Sequence, residues 1–491
     1  MTLPRGRRAH EGARRAWRPR PAWLWMLAFH RRHHLQTATV PGDLGVTEPQ
    51  VIDLFTMAVE QLGSDKARVR SGGLNALERL AQDNPAHRQI IVDVICSYLR
   101  MPFPPTAPEP AEGQKDPDAE RETRPDGIGG AWEQEKQVRL TAQRILTRHL
   151  GDDRAEDQRF TDSPDPRFWQ DIRLDLTGAA LIDFNLVDAV ITGASFRRAA
   201  FSGDASFSGA TFSGNAQFGG ATFGRDASFS GAIFSRDARF SGAAFGGDAL
   251  FGGAAFNGDA SFPEAAFTGD ALFGEAAFSR RAAFRRATFG GDAEFRKAIF
   301  TGDAWFDKAA FGRGAWFGEV TFSGDAGFRK ATFTGDAGFD KAAFGRGAWF
   351  DGAAFTGDAW FGEAIFRRGA SFDRAAFTGD AWFGEATFTG NAGFGEATFG
   401  GEAWFDKATF NSGAGFGEAA FTGDAGFGQA ALGGRAWFSE ATFSGGADAL
   451  HFEQARILSP GASHVWPSGW RLVDADGGGY VVVRASGNGG S

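Results

Sequence analysis

Residues 375–385 read AAFTGDAWFGE, and variants of this eleven-residue unit recur along half of the chain. Between Phe201 and Phe443 a large apolar side chain recurs at alternating gaps of six and five residues, at 45 positions. Phe occupies 44 of these positions and Leu432 the other, and Ala stands two residues before each of them except at Val320. A fixed period of this kind is typical of a solenoid, in which stacked copies of one unit bury a continuous core.

The Ala–x–Phe spacing predicts short β-strands. Alternate side chains of a strand face the same side, so Ala and Phe point inward and the residue between them points outward. Two architectures fit the period, a four-sided coil made of two eleven-residue units and a flat, two-sided coil made of one, and the inward pattern does not separate them. About twelve four-sided coils at ~4.8 Å spacing would make a rod roughly 60 Å long. In the four-sided form the six-residue gap bulges at a corner, where positive φ is predicted for Gly203, Gly214, Gly247 and Gly269.

A strict five-residue spacing precedes the Phe ladder, at Leu176, Leu181, Leu186, Ile191, Phe196 and Phe201. Gly178-Ala179-Ala180-Leu181-Ile182 and Asp188-Ala189-Val190-Ile191-Thr192 resemble the unit of the pentapeptide-repeat family. The resemblance covers residues 172–446 and implies a mainly β fold, a right-handed quadrilateral β-helix with four pentads per coil. Two flanking segments, Val59–Leu80 and Phe168–Ala179, are similar to the helical region and the lead-in that precede the repeats in many bacterial members.

Composition and periodicity divide the rest of the chain. Residues 46–101 carry three amphipathic helix patterns, which predict a small helical bundle or a HEAT-like unit. Residues 131–150 predict a further helix, which packs on the bundle or covers the open edge of the first coil. Trp466–Trp470 and a strand pair, Arg471–Val473 with Tyr480–Arg484, are predicted to cover the last coil. The predicted order is a basic, disordered tail (1–45), the bundle (46–101), a Pro-rich acidic linker (102–130), the helix (131–150), a lead-in (151–171), the solenoid (172–446), and a cap and tail (447–491).

Charge is unevenly distributed over the chain, whose formal net charge is −9. Residues 1–40 contain nine Arg and one Glu, whereas residues 201–450 contain 29 acidic and 20 basic side chains. The single cysteine, Cys96, excludes internal disulfides and is typical of a reducing compartment, so a cytoplasmic location is expected. The alternative is membrane association through Trp23 and Trp25, since an apolar stretch flanked by Arg can lie in a membrane interface although it is too short to cross one.

The sequence offers little for catalysis. None of the eight His residues lies within the Phe ladder, and no metal-ligand spacing, nucleophile–base pair or phosphate loop is present, so neither an enzyme nor a cofactor is predicted. Asp204, Asp226, Asp248 and Asp270 recur in every second eleven-residue unit at the bulge corner. Stacked carboxylates repel one another, and a divalent cation would relieve the repulsion, which makes these residues metal candidates. Asp as a turn former explains the same column without metal.

Outward-pointing tryptophans are the second recurring feature. In a coil of two units Trp360, Trp382 and Trp404 would stand in one column on successive coils, with Trp316 two coils before them. Exposed aromatic side chains are typical of binding hot spots, so this stripe is predicted to dock a protein or carbohydrate partner. The alternative is that the rings only cover neighbouring outward side chains.

These observations predict a non-enzymatic scaffold, a protein-interaction solenoid whose protein partner and oligomeric state are not specified. The family resemblance implies one alternative, a DNA-mimic-like inhibitor or protector of a nucleic-acid enzyme such as DNA gyrase. Arg225, Arg236, Arg285, Arg286 and Arg367 interrupt the acidic surface that a mimic would need, and binding of nucleic acid itself is not expected.

Overall fold

The computed structural model describes residues 48–104, 128–151, 167–444, 449–474 and 480–485. The predicted tail 1–45, most of the predicted linker 102–130 and most of the lead-in 151–171 lie outside the described residues. The chain divides into two compact units, Met1–Leu80 and Ala81–Ser491. All strands of the described residues belong to the second unit.

The described part of the first unit is helical. Helix α1 spans Glu48–Leu62, and helix α2 spans Ala67–Asp83, with its last three residues in the second unit. The two helices approach closely at Gly73, where a Cβ atom would lie 2.7 Å from the carbonyl oxygen of Ala58. A larger residue at this position would therefore force the helices apart.

Two further helices precede the β-structure in the second unit. A 3₁₀ turn at Pro85–His87 leads into α3, Arg88–Leu99, and helix α4 spans Ile128–Leu150. The apolar face of α4 is buried, at Val138, Ala142, Ile145 and Leu146. On α3 the side chains of Ile91, Ile95, Tyr98 and Leu99 are buried, whereas that of Ile90 is 43% exposed.

The strands form four columns, named here faces 1 to 4 in the order in which the chain passes through them. From residue 211 to residue 443 every strand is a residue pair, and each face recurs after four strands. The regular columns run from Ala216–Gln217 to Ala436–Trp437 (face 1), Thr222–Phe223 to Thr442–Phe443 (face 2), Ala227–Ser228 to Ala425–Gly426 (face 3) and Thr211–Phe212 to Ala431–Leu432 (face 4). The other strands are Arg173–Asp175, Ala180–Asn185, Val190–Ile191, Gly193–Ser195, Ala200–Ser206, Leu450–His451, Arg456–Ile457, Trp470–Asp474 and Tyr480–Arg484.

The strand register decides between the two coil sizes. Ala260 pairs in parallel with Ala282, an offset of two eleven-residue units, and the same offset holds through the regular columns. The coil is therefore four-sided and contains two units, and the alternative of one unit per coil is wrong. In the first coil the offset is shorter by two positions, since Leu174 pairs with Ala194, because the units there have five residues without the added one.

Phenylalanine fills the interior as predicted. The ring of Phe328 stacks between Phe306 and Phe350, with centroids 4.9 and 4.8 Å away and planes within 2° of parallel. Within the coil layers it meets Phe317 and Phe339 edge-to-face at 5.3 and 5.4 Å. Offset stacks and edge-to-face contacts are the favoured geometries of aromatic pairs, so one residue type satisfies both directions of packing.

The prediction of positive φ is wrong for three of the four glycines. Gly203 has φ +79°, but Gly214, Gly247 and Gly269 do not adopt positive φ. At these six-residue corners the coils approach so closely that a Cβ on Gly269 would lie 2.6 Å from the carbonyl carbon of Gly247. Glycine is required there by the close approach of two backbones rather than by its torsional freedom.

Positive φ occurs instead at the five-residue corners. Each is a turn closed by a backbone hydrogen bond, as from the Ala331 N–H to the Phe328 carbonyl oxygen at 3.0 Å, with the left-handed residue third in the turn. Glycine fills this place at Gly209, Gly220, Gly231, Gly242 and Gly253. From Glu264 onward charged or amide residues take it over, for example Lys330 with φ +55°, and Gly352 is the exception.

Helices α3 and α4 cover the open edge of the first coil with two glutamine side chains. The Gln143 amide donates to the Ile182 carbonyl oxygen at 2.6 Å and accepts from the Ile182 N–H at 3.0 Å. Gln89 makes the same pair of bonds, both 2.9 Å long, with the backbone of Arg173. Each side-chain amide replaces a neighbouring strand, so these two backbone positions are satisfied at an otherwise open edge.

The predicted strand pair at the other end is confirmed. Trp470–Asp474 pairs antiparallel with Tyr480–Arg484, and the second of these strands pairs antiparallel with Arg456–Ile457 on face 4. Trp466 and Trp470 pack on the ring of Phe452, at 6.0 and 5.2 Å. Antiparallel pairing and aromatic packing thus replace the next parallel coil.

Candidate docking surface

Outward tryptophans stand on two opposite faces of the solenoid. Face 1 carries Trp305, Trp349 and Trp437, and face 3 carries Trp316, Trp360, Trp382 and Trp404. The strand register pairs Trp360 with Trp382 and Trp382 with Trp404, so these three lie on successive coils as the four-sided interpretation requires. Trp316 lies two coils before Trp360, with Gly338 between them.

Three of the rings lie over a glycine of the next coil. A Cβ on Gly327 would lie 2.5 Å from the ring of Trp305, and a Cβ on Gly338 would lie 2.9 Å from the ring of Trp316. A Cβ on Gly426 would likewise meet the ring of Trp404. A ring seated in this way covers the neighbouring backbone, which is why Gly327, Gly338 and Gly426 are buried although they belong to outward positions.

Guanidinium groups cover four of the rings. Arg285 lies 5.1 Å from the ring centre of Trp305, and Arg296 lies 5.2 Å from that of Trp316. Arg329 lies over Trp349 at 4.5 Å and Arg435 over Trp437 at 3.6 Å. These separations are within the range of cation–π attraction. Each of these four rings is therefore covered by a guanidinium group of the same chain.

Three of these cations are also paired with carboxylates, and one of them, Arg296, pairs with Glu294 at 3.4 Å. Arg285 pairs with Asp307 at 3.4 Å, and Arg329 pairs with Asp351 at 3.2 Å. The rings of Trp305, Trp316 and Trp349 therefore have a paired cation and carboxylate of this chain beside them, and the ring of Trp437 has a cation.

The middle of face 3 differs from these stacks. The residue that follows Trp360 in the column is Trp382, and the residue that follows Trp382 is Trp404, so neither has a glycine on which to lie. The rings of Trp382 and Trp404 are 6.0 Å apart and tilted by 29°. The side chain of Trp382 is 39% exposed, the largest value among the described tryptophans. Trp360, Trp382 and Trp404 are called the tryptophan patch below.

The aspartates at the six-residue corners form a hydrogen-bonded ladder. Asp204, Asp226, Asp248 and Asp270 lie in one column between faces 2 and 3. One carboxylate oxygen of Asp226 accepts from the N–H of Asp248 at 2.9 Å, and Asp248 and Asp270 repeat the bond with the next coil. Each of these three carboxylates stabilises a corner amide, as a turn former does. Across the described residues no cluster of three or more His, Cys, Asp or Glu side chains could hold a metal ion.

Two aspartates beside the tryptophans of face 3 are partly buried. Burial raises the pKa of Asp340, and likewise that of Asp406, above the usual value of an aspartate. Backbone N–H groups of Gly362 and Gly428 oppose this effect by stabilising the charged forms. The carboxylate of Asp406 lies beside the Trp404 ring, since a Cβ on Gly426 would meet both of them.

Two histidines outside the Phe ladder make structural contacts. His149 stacks on Trp169 with centroids 4.1 Å apart. Nδ1 of His464 accepts from the Ala436 N–H at 3.1 Å, and its Nε2 donates to the Ser459 carbonyl oxygen at 2.9 Å. Cys96 is buried, and burial raises the pKa of its thiol to about 12. The reactive thiolate is therefore disfavoured at neutral pH.

Sequence reasoning placed the tryptophans but missed what surrounds them. The glycine seats carry a signal in the sequence, because Gly327, Gly338 and Gly426 each follow a tryptophan by two eleven-residue units. The arginines over the rings also carry a signal in the sequence. Arg285, Arg296 and Arg329 each precede the tryptophan that they cover by two residues fewer than two eleven-residue units. These signals become readable only after the coil length is known.

A family model described as Pentapeptide repeats (9 copies) matches the chain in overlapping segments at 186–233, 229–277, 273–321, 317–365, 361–409, 372–420 and 405–448. Together these segments run without a gap from residue 186 to residue 448, more than half of the chain. No curated protein and no solved structure matches it.

Proposed function

Because the chain belongs to the pentapeptide-repeat family, we propose that it is a non-enzymatic scaffold that binds a protein partner through the tryptophan patch. The observation that carries the proposal is the exposure of Trp382 between two further outward tryptophans on neighbouring coils. Trp is enriched at the centres of protein interfaces. On face 3 the rings form two stacked pairs, Trp316 with Trp360 at 5.9 Å and Trp382 with Trp404 at 6.0 Å. Trp316 stands in the same column and extends this surface, although Arg296 already covers its ring.

A repeat solenoid suits such a role physically. Every coil repeats the same buried core, so outward residues vary without disturbing the fold. The interior supports the surface rigidly, because each Phe ring is held by stacked and edge-to-face neighbours. A rigid surface loses little conformational entropy when a partner binds.

The test is an affinity capture from native lysate that compares the wild-type chain with a variant carrying Trp360→Ser, Trp382→Ser and Trp404→Ser. The matched control carries Trp305→Ser, Trp349→Ser and Trp437→Ser on face 1. We expect a partner that the wild type and the control variant capture and the patch variant does not. Circular dichroism of all three proteins verifies that the solenoid is folded. Identical capture by the wild type and the patch variant would contradict the proposal.

The same experiment addresses the alternative role as a DNA-mimic-like inhibitor or protector. Capture of DNA gyrase would favour that role over a general scaffold. The regular carboxylate column supports it, whereas Arg285, Arg296 and Arg329 on the tryptophan faces weaken the resemblance to a uniformly negative duplex.

Membrane association is the second alternative. Trp23 and Trp25, on which it depends, lie outside the described residues. Among the residues that the structure does describe, no helix has the length and apolarity needed to cross a bilayer. Co-sedimentation with anionic liposomes, with and without residues 1–35, tests the alternative, and binding that requires this segment would support it.

A further inference from the structure

Carboxylates border the tryptophan patch on the side facing face 2. Asp358, Asp380 and Glu402 each precede a patch tryptophan by two residues and occupy the corner column between faces 2 and 3. Asp358 accepts from the N–H of Asp380 at 3.0 Å, and Asp380 accepts from that of Glu402 at 2.9 Å. These bonds align the column, and they use only one oxygen of each aspartate. Glu402 in turn accepts from the indole N–H of Trp404 at 3.0 Å.

The opposite border is acidic too, but it is partly neutralised. Glu363 pairs with Lys341 at 3.6 Å, and Glu385 pairs with Lys407 at 3.2 Å. Asp406 adds a further carboxylate beside Trp404. By contrast, in the described part of the chain no Lys or Arg is within ion-pair distance of Asp358, Asp380 or Glu402.

The other outward tryptophans show what this surface lacks. Trp305, Trp316, Trp349 and Trp437 each have a guanidinium group of the same chain stacked over the ring, 3.6 to 5.2 Å from its centre. No Arg or Lys of the described residues lies over the rings of Trp360, Trp382 or Trp404. The tryptophan patch therefore has outward rings with carboxylates beside them, as Trp305, Trp316 and Trp349 do, but it has no cation of the described residues over the rings.

We propose that the tryptophan patch and the carboxylates that border it bind an arginine-rich segment of a partner protein. This inference rests on the proposed function and specifies the chemistry of the partner. A guanidinium group stacks on an aromatic ring with its face and bonds carboxylate oxygens with its edge, so one side chain uses both elements of the surface. Lysine lacks the planar face and the bidentate geometry, so it fits the same surface less well.

The dimensions of the patch suit an extended peptide. Three successive coils place the outer tryptophans about 9.6 Å apart, which corresponds to about three residues of extended chain at ~3.3 Å each. Arginines at positions i and i+2 of such a peptide point to the same side, roughly 6.7 Å apart. Two guanidinium groups can therefore occupy the patch together.

The test is the binding of labelled nine-residue peptides to the full chain, followed by fluorescence anisotropy. One peptide alternates Arg with Gly, and the matched control peptide has Lys in place of each Arg. We expect the Arg peptide to bind at least fivefold more tightly than the Lys peptide. Equal affinity for the two peptides would overturn the proposal, because it would indicate general attraction between opposite charges.

Two variants separate the contributions of the rings and the carboxylates. The variant with Trp360→Ser, Trp382→Ser and Trp404→Ser is expected to weaken Arg-peptide binding at least tenfold, and so is the variant with Asp358→Asn and Asp380→Asn. Asparagine preserves the corner bond, as Asn391 accepts from the Gly413 N–H at 3.1 Å at an equivalent corner. The face 1 variant with Trp305→Ser, Trp349→Ser and Trp437→Ser should bind as the wild type does. Unchanged binding by either patch variant would overturn the proposal.

A third protein addresses the arginine-rich segment of the chain itself, since residues 1–40 contain nine Arg. Deletion of residues 1–40 is expected to leave the affinity for the Arg peptide unchanged. An affinity that rises tenfold or more on deletion would overturn the proposal in favour of an internal occupant. Capture of a lysate partner that requires the patch, but that excess Arg peptide does not displace, would overturn this inference and leave the proposed function standing.

Discussion

Replacement of Phe328 by Ala tests how the solenoid is held together. The side chain is 0% exposed, and four aromatic rings surround it at centroid distances of 4.8–5.4 Å. A Phe→Ala change in a protein core costs about 3–5 kcal/mol. The neighbouring strands hold the surrounding rings in place, so the cavity cannot collapse, and we expect a cost of about 4–5 kcal/mol in local stability.

Hydrogen exchange measured by mass spectrometry gives the assay, since the N–H of Phe328 donates to the Trp349 carbonyl oxygen of the next coil. A loss of about 4 kcal/mol corresponds to roughly 1000-fold faster exchange. Each coil contacts only its neighbours, so the effect should be confined to the coils around Phe328 and should spare those near Phe229.

Two matched variants calibrate the experiment. Phe328→Leu should cost less than about 2 kcal/mol, because a large apolar side chain is kept and the ladder already contains Leu432. Thr332→Ala, at an exposed outward position of face 2, should change stability by no more than about 0.5 kcal/mol. A change below tenfold for Phe328→Ala, or equal acceleration along the whole solenoid, would refute the reasoning.

Three further predictions concern the cap and the corners. Gln143→Leu removes both hydrogen bonds to the backbone of Ile182, so we expect the first coil to lose about 2–4 kcal/mol of stability. Hydrogen exchange measures this loss, and light scattering detects the association that the opened edge should allow. Unchanged exchange in the first coil would contradict the prediction. Although burial opposes it, hydrogen bonds from Thr177 and the guanidinium group of Arg100 hold the pKa of Asp175 below its usual value. The bonded carboxylate should therefore stabilise the protein above pH ~4 and lose this effect as the pH falls through its lowered pKa. Denaturation curves of Asp175→Asn and the wild type should differ at pH 7 and converge in acid. A difference that stays constant with pH would contradict the assignment. Lys330→Gly should stabilise its corner by roughly 0.5–1 kcal/mol, because φ is +55° there. Hydrogen exchange of the corner amides should then be slower than in the wild type. Faster exchange would argue against strain at this residue.

The inward half of the structure was predictable from the residues alone. Strand alternation places Ala and Phe on one side, and a solenoid buries all 44 Phe side chains of the alternating six- and five-residue ladder. The same logic predicted the tryptophan column, since Trp360, Trp382 and Trp404 are each two eleven-residue units apart. The prediction failed at Gly214, Gly247 and Gly269, because sequence cannot distinguish a glycine needed for its torsion angles from one needed for close approach.

The candidate site was only partly readable. Its tryptophans belong to the repeat, but the cations over Trp305 and Trp316 come from residues one coil earlier. Whether such a pair meets depends on the coil length, the direction of the side chains and the space that Gly327 and Gly338 leave open. These are properties of the stacked coils, so no local pattern contains them.

By itself, the sequence determined that this protein is a solenoid with an aromatic core, because burial of a periodic apolar ladder admits few alternatives. Only the tertiary structure decided that a coil closes after two eleven-residue units rather than one, since that choice depends on which strands share backbone hydrogen bonds. It also decided that Gln89 and Gln143 close the first coil and that Trp382 remains exposed. Backbone pairing and side-chain covering act between residues far apart in the chain, and local propensity carries no information about which distant residues meet.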